Sequence, residues 1–175
     1  ATVAEHRANR RAALVRAGTE LLLESGLERV TPGSVAARAG LTRPSFYDYF
    51  PSRDDLLVAI AITSMEDWGA ELESALAGVP AGAAQLRRFI DATMAMSADG
   101  RHAIADVLRG VELSPKRFDD LMALHEVVMR PVHQILDSLG VSATPSTVTL
   151  VHAALGAGIE LVGHGVDHRR VADDV

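Results

Sequence analysis

The sequence contains no cysteine. That absence excludes disulfides, thiolate zinc sites and a cysteine nucleophile together, and it fits a reducing, cytoplasmic setting. There is no run of about 18 apolar residues, which predicts that no segment spans a membrane. The opening ATVAEHRANRR lacks the apolar stretch of a signal peptide. It also lacks Met, which implies that the first residues are processed or trimmed. Gly 14 and Pro 7 are ordinary values, so collagen-like and low-complexity readings fail. No internal repeat is present, and strand signals are nearly absent. No Gly-rich phosphate loop and no placed nucleophile are found, so the chain is not expected to be an enzyme. His164 and His168 stand four apart, a spacing that suits a metal on a helix. Gly165 interrupts them and no third ligand is evident, so neither a metal nor a cofactor is expected.

What is present is apolar material: 48% of 175 residues, against 23% charged. That is ample for a buried core, since a chain of this size removes roughly 70% of its unfolded surface from water. The length suits one domain, or one domain with an appendage. The net charge of -6 is unevenly spread. Residues 1–53 hold eight Arg against five acids, a net of +3, while residues 54–175 hold nine Lys or Arg against 18 acids, a net of -9. A basic head on an acidic body can meet a polyanion while the rest stays dissolved.

Helical spacing runs almost throughout. A first helix is predicted over 4–25, with Leu14, Val15, Gly18, Leu21 and Leu22 recurring at three and four and Gly26 as its stop. Arg7, Arg10 and Arg11 crowd its first turns, where cations oppose the helix dipole. That placement suggests an external anion, with solvated arginines as the plain alternative. Thr31-Pro32 starts a short second helix that ends at Gly40. Thr42 caps a third, predicted to run through Phe46, Tyr47, Tyr49 and Phe50 and to stop before Pro51. Ser52 caps a long helix to about residue 77. Further helices are predicted over 83–97, 101–112, 115–139 and 146–164, and the tail HGVDHRRVADDV reads as frayed.

Two short helices joined by a Gly-containing turn make a helix-turn-helix, whose second helix enters the major groove with its first residues on base edges. Arg43, Pro44 and Ser45 occupy that position. Arginine can grip guanine O6 and N7, proline can pack on a thymine methyl, and serine can donate or accept. Tyr47 falls on the same side, while Tyr49 is offset towards the DNA backbone. Phe46 and Phe50 should anchor the helix to its own domain. Asp48 would read a cytosine amino group, pair with an arginine or point away. Around this helix stand phosphate-type donors: Thr31, Ser34, Thr42, Tyr49 and Arg53. Taken singly, the threonines could be caps alone and the tyrosines core with wet hydroxyls.

The stretch VAARAGLTRPSFYDYFPSRDDLL, after a helix ending ESGLERVT, resembles the TetR family of bacterial transcriptional regulators over about residues 5–60. The resemblance implies an all-α protein. An N-terminal three-helix helix-turn-helix DNA-binding domain, residues 1–53, would precede a helical effector-binding and dimerisation domain, residues 54–175. It implies base contacts from Arg43, Pro44, Ser45 and Tyr47, and backbone contacts from Thr31, Thr42, Tyr49 and Arg53. Arg53 stands where the family usually has Lys, Phe46 where Leu is more usual, and Gly33 where a charged residue can occur. The implied function is a cytoplasmic, ligand-responsive repressor that binds a palindromic double-stranded DNA operator as a homodimer.

The sharpest periodicity lies at Phe118, Leu121, His125, Val128, Val132, Ile135 and Leu139, in steps of three and four. Val148, Val151, Leu155 and Val162 repeat the pattern in the last long helix. Such seams are either the core of a monomeric bundle or half of an intermolecular four-helix bundle. The resemblance favours the second, with Phe118, Leu121, Val128, Val132, Ile135, Val148, Val151, Leu155 and Val162 facing a partner. An adaptable pocket for a small hydrophobic effector is expected around Met65, Trp68, Phe89, Met94, Ile104, Leu108, Met122, His125 and Met129. The same residues could instead be plain core. The rival function is a helical small-molecule sensor or interaction protein that does not bind DNA.

Overall fold

The computed structural model describes residues 2–100, 104 and 115–175, apart from the side chains of Arg117 and Phe118. The protein is all-α, and among the described residues no strand occurs. Helix α1 spans Val3–Ser25, α2 Pro32–Arg38, α3 Arg43–Phe46, α4 Arg53–Leu76, α5 Ala83–Ser97, α6 Pro115–Ser138, α7 Pro145–Gly163 and α8 His168–Asp174. The described residues form two compact units, 2–64 with Ile104 and 65–100 with 115–175. The expected helix over 101–112 lies outside the described residues, except that Ile104 is helical.

Local chemistry explains the first unit. Thr2 Oγ1 accepts from the Glu5 amide at 3.2 Å while Glu5 Oε2 accepts from the Thr2 amide at 2.6 Å, so two orphan donors of α1 are satisfied reciprocally. The buried face of α1 is Leu14, Val15, Ala17, Gly18, Leu21 and Leu22. Gly18 is there for closeness: a Cβ would stand 2.8 Å from Ile60 Cδ1 and 3.2 Å from Leu56 Cδ2. Pro32 opens α2, and Val35 and Ala36 are fully buried. Gly40 takes φ 70, which lets Leu41 N return to Ala36 O at 2.8 Å and close the turn.

Helix α3 is shorter than expected. It has four residues and ends at Phe46, and residues 47–49 continue as a turn. Pro51 disfavours the α region for Phe50, so the helix cannot run up to it. Tyr49 N and Phe50 N both donate to Phe46 O at 3.0 Å. Phe46 is 0% and Phe50 2% exposed, so both rings anchor α3 as the sequence suggested.

The second unit packs Leu72 of α4, Phe89, Met94 and Met96 of α5, Met129, Val132, Ile135 and Leu136 of α6, Leu155 and Val162 of α7, and Val171 and Ala172 of α8. Pro131 sits inside α6 without ending it. The tail is not frayed. Asp167 caps α8 by accepting from the Arg169 and Arg170 amides, each at 3.1 Å. Val171 and Ala172 are buried, and Asp173 pairs with Arg87 of α5 at 2.6 Å.

Helix α7 bears on the membrane expectation without overturning it. By length and composition it could cross a membrane, yet only 17% of its apolar window is buried in the protein. It is not an unbroken apolar run, because Thr, His and Gly interleave the apolar residues.

Candidate nucleic-acid interface

Helices α2 and α3 with their turn form the helix-turn-helix. Arg43 is the first residue of α3 and is exposed, as is Pro44, and Tyr47 is 48% exposed just past the helix end. Thr42 Oγ1 lies 2.9 Å from Ser45 Oγ and accepts from the Ser45 amide at 3.4 Å, so one residue fixes the start of the helix and a half-buried Ser45 together. Gly33 lies under the Arg43 arm: a Cβ there would be 3.9 Å from Arg43 Cδ. The arginine therefore has room in front of α2.

The residues expected to hold a DNA backbone divide by how engaged they are. Thr31 and Thr42 are exposed N-caps. Ser34 donates from Oγ to the Arg29 carbonyl at 2.6 Å and receives the Thr31 amide at 3.0 Å. Arg53 is half-buried and donates from Nε to Val30 O at 2.6 Å and from Nη2 to Leu27 O at 2.7 Å. Tyr49 is half-buried beneath the Arg7 guanidinium. Arg38 is paired with Glu24 at 2.7 Å and lies 3.7 Å from Glu20, which neutralises it on the α1 side.

Sequence reasoning missed the internal use of the α1 arginines. Arg7 donates to the Asp48 carbonyl at 2.7 Å, and Arg11 lies over the Phe50 ring. Their crowding was visible, but their partners lie some forty residues away. Asp48 meets an arginine through its main-chain carbonyl.

The nine expected effector residues do not converge. Phe89, Met94 and Met129 are buried in the second unit's core, with Trp68 packed against it. Met65 and His125 are half-buried, and Met122 is exposed. Ile104 belongs to the core of the first unit, and Leu108 lies outside the described residues. A groove of about 910 Å³ opens in the second unit between α4, α5 and α8, but its walls include Arg87, Arg88, Asp91 and Asp173 and none of those nine. Thr93 is 4% exposed, and its Oγ1 has no hydrogen-bond partner among the described residues. His125 stacks on His152 with ring centroids 4.9 Å apart. Burial first, then the neighbouring imidazole, pushes His125 below the usual histidine range, with Glu126 acting the other way.

The seam expected to meet a partner is largely the chain's own core. Val132, Ile135, Leu155 and Val162 are buried in the second unit's core, Val128, Val148 and Val151 pack against it, and Leu121 is buried as well. The Phe118 side chain lies outside the described residues. Heptad spacing marks a buried stripe without saying whose helix covers it. The exposed apolar side chains on α7 are instead Leu150, at 70%, and Leu161, at 49%.

A helix-turn-helix with a projecting arginine, joined to a second helical unit, defines the class of helical DNA-binding regulators. Residues 14–60 match the model of bacterial regulatory proteins, tetR family. Solved structures extend the likeness in fold across nearly the whole chain. The TetR-like transcriptional regulator LfrR from Mycobacterium smegmatis, solved in complex with proflavine, is 23% identical with a TM-score of 0.69, covering 94% of this chain and 91% of its own. The fatty acid degradation regulator FadR from Bacillus halodurans is 15% identical with a TM-score of 0.66 and the same coverage, 94% and 91%. A TetR family regulator from Marinobacter aquaeolei VT8 is 15% identical with a TM-score of 0.70, covering 98% and 95%. Among curated proteins, none matches the chain.

Proposed function

We propose that the chain is a cytoplasmic, ligand-responsive repressor that binds a near-palindromic operator as a homodimer, with residues 1–53 as the reading head and 54–175 as the effector and dimer domain. The observation that carries this reading is the pairing of an exposed Arg43, Pro44 and Tyr47 with a fully buried Phe46. The side chains that would meet bases project, while the one between them fastens the helix to its core. Arg43, Pro44, Ser45 and Tyr47 then read bases. Thr31, Ser34, Thr42, Tyr49 and Arg53 hold the backbone, partly through backbone amides that their own bonds keep in place.

The outer face of α7 supports a second copy as partner. Leu150 and Leu161 lie on it with Ala153, Ala154 and Ala157, all exposed in the single chain. Small residues let a helix approach closely, and an isologous pairing would cover both leucines on each protomer. Two heads about 34–36 Å apart would then meet successive major grooves. The effector is a small, largely apolar molecule. Met94 and Met129 are flexible side chains of the packed core with Trp68 against it, so such a ligand would enter by displacing them, with the Thr93 hydroxyl, unpartnered among the described residues, as one polar anchor. The proflavine complex of LfrR lends this an analogy. Such a ligand represses or releases only by binding one conformation better than the other.

The test is selection of a randomised duplex pool on the purified protein, followed by footprinting. A palindromic site with protection on both half-sites is expected. Retention of no duplex would leave the rival reading, a sensor without DNA binding.

A further inference from the structure

Three arginines crowd the first turns of α1, and the structure gives two of them work inside the protein. The Arg7 guanidinium donates from Nη2 to the Asp48 carbonyl at 2.7 Å and lies 5.3 Å from the centroid of the Tyr49 ring. The Arg11 guanidinium lies 4.8 Å from the centroid of the Phe50 ring. All three contacts fall on the segment where α3 has already ended. Asp48 N reaches Ser45 O only at 3.3 Å, and Tyr49 N turns to Phe46 O. A helix of four residues has too few internal bonds to hold its own exit. Phe46 and Phe50 secure one side of this turn from the core. On the other side Arg7 and Arg11 of α1 meet it.

We propose that Arg7 and Arg11 are positioning residues that clamp the exit of α3, and so set Tyr47 and Tyr49 for the operator. The proposal rests on the DNA-binding reading above. A planar guanidinium can lie along a ring face and still donate to a neighbouring carbonyl, whereas a lysine ammonium is a single point charge on a flexible stem. A direct phosphate contact is served by either cation. Lysine therefore separates a clamp from a phosphate ligand.

The experiment uses the full chain as wild type, Arg7→Lys, Arg7→Gln and Arg11→Lys. Each is titrated over a salt series against a duplex of about 30 base pairs selected by the wild type, long enough for two half-sites one turn apart. Amide hydrogen exchange of residues 47–50 is measured on the same proteins without DNA. Both Arg7 variants should lose about tenfold in affinity, the scale of a lost charge-assisted hydrogen bond. The slope of log K against log salt should not change, and the 47–50 amides should exchange faster. Rescue by Arg7→Lys, with a slope lowered by about 0.9 in Arg7→Gln, would make Arg7 a phosphate ligand and overturn the clamp. Unchanged exchange at 47–50 would overturn it as well. Failure of the wild type to retain any duplex would remove the DNA reading itself, and the DNA-free exchange measurement tells that failure apart from failure of the clamp.

Discussion

Arg53 Nε donates to the Val30 carbonyl at 2.6 Å, joining the first residue of α4 to the segment that leads into α2. With Nη2 on Leu27 O, two of its five N–H groups are committed to folding. The remainder are available to a phosphate. Arg53→Ala should therefore have two separable effects. Stability measured by urea midpoint should fall by about 1.5–3 kcal/mol, the range for hydrogen bonds from a charged group. The salt slope of DNA binding should fall by about one phosphate's worth. Arg53→Lys should restore the slope but only part of the stability, because an ammonium cannot reproduce the fork. Loss of stability with an unchanged slope would confine Arg53 to folding.

Among the described residues Arg43 makes no ion pair or side-chain hydrogen bond that would compete with DNA, and Gly33 lies beneath its arm. Arg43→Ala should relax base preference at one operator position by about 1–3 kcal/mol while leaving other positions alone. A library of single-base operator variants reads this directly. Equal weakening on every sequence would place Arg43 on phosphate.

Leu161 and Leu150 are exposed on α7, so replacing them should not disturb the fold of one chain. Leu161→Glu should leave the circular dichroism spectrum unchanged and raise the dimer dissociation constant by at least about tenfold. Burying a leucine is worth about 1.5–3 kcal/mol, and a two-fold interface counts it twice. Light scattering over a dilution series checks it. An unchanged mass at every concentration would move the interface elsewhere.

His125, stacked on His152, is pushed below the usual histidine value of 6.5. The unfolded chain then binds the proton more readily than the folded one, so stability rises with pH. The contribution is whole above about pH 6.5, declines as the pH falls below that, and levels off beneath the folded value. Urea midpoints between about pH 5 and 8 should show this decline. His125→Asn should shrink it. A variant with the same pH profile as wild type would show that the proton goes elsewhere.

Much of the first unit was legible because its determinants are local. Thr31-Pro32 and Thr42 cap and start helices within a few residues of themselves, and Gly40 closes a turn through its own backbone. Where the signal was local but contested, the reading failed. Pro51 barred α3 from running up to Phe50 and the helix ends at Phe46, and the VA pair in the tail was too short a pattern to announce α8. The effector residues were less legible still. Spacing shows that Met94 and Ile104 are apolar and helical, but not that they belong to different cores.

Taken alone, the amino-acid order determined where most helices begin, which of their faces avoid water, and that Arg43 to Tyr47 follow directly on a turn and a helix cap. Those properties follow from capping and periodicity, which act over one or two turns. Folding in three dimensions decided the rest: that Arg7 meets Asp48, that Arg53 holds Val30, and that the Leu121 and Ile135 stripe is spent inside one chain while Leu150 and Leu161 stay exposed. The physical reason is that an apolar stripe or a guanidinium specifies the kind of partner it needs, while only the closing of the chain brings a particular one within reach.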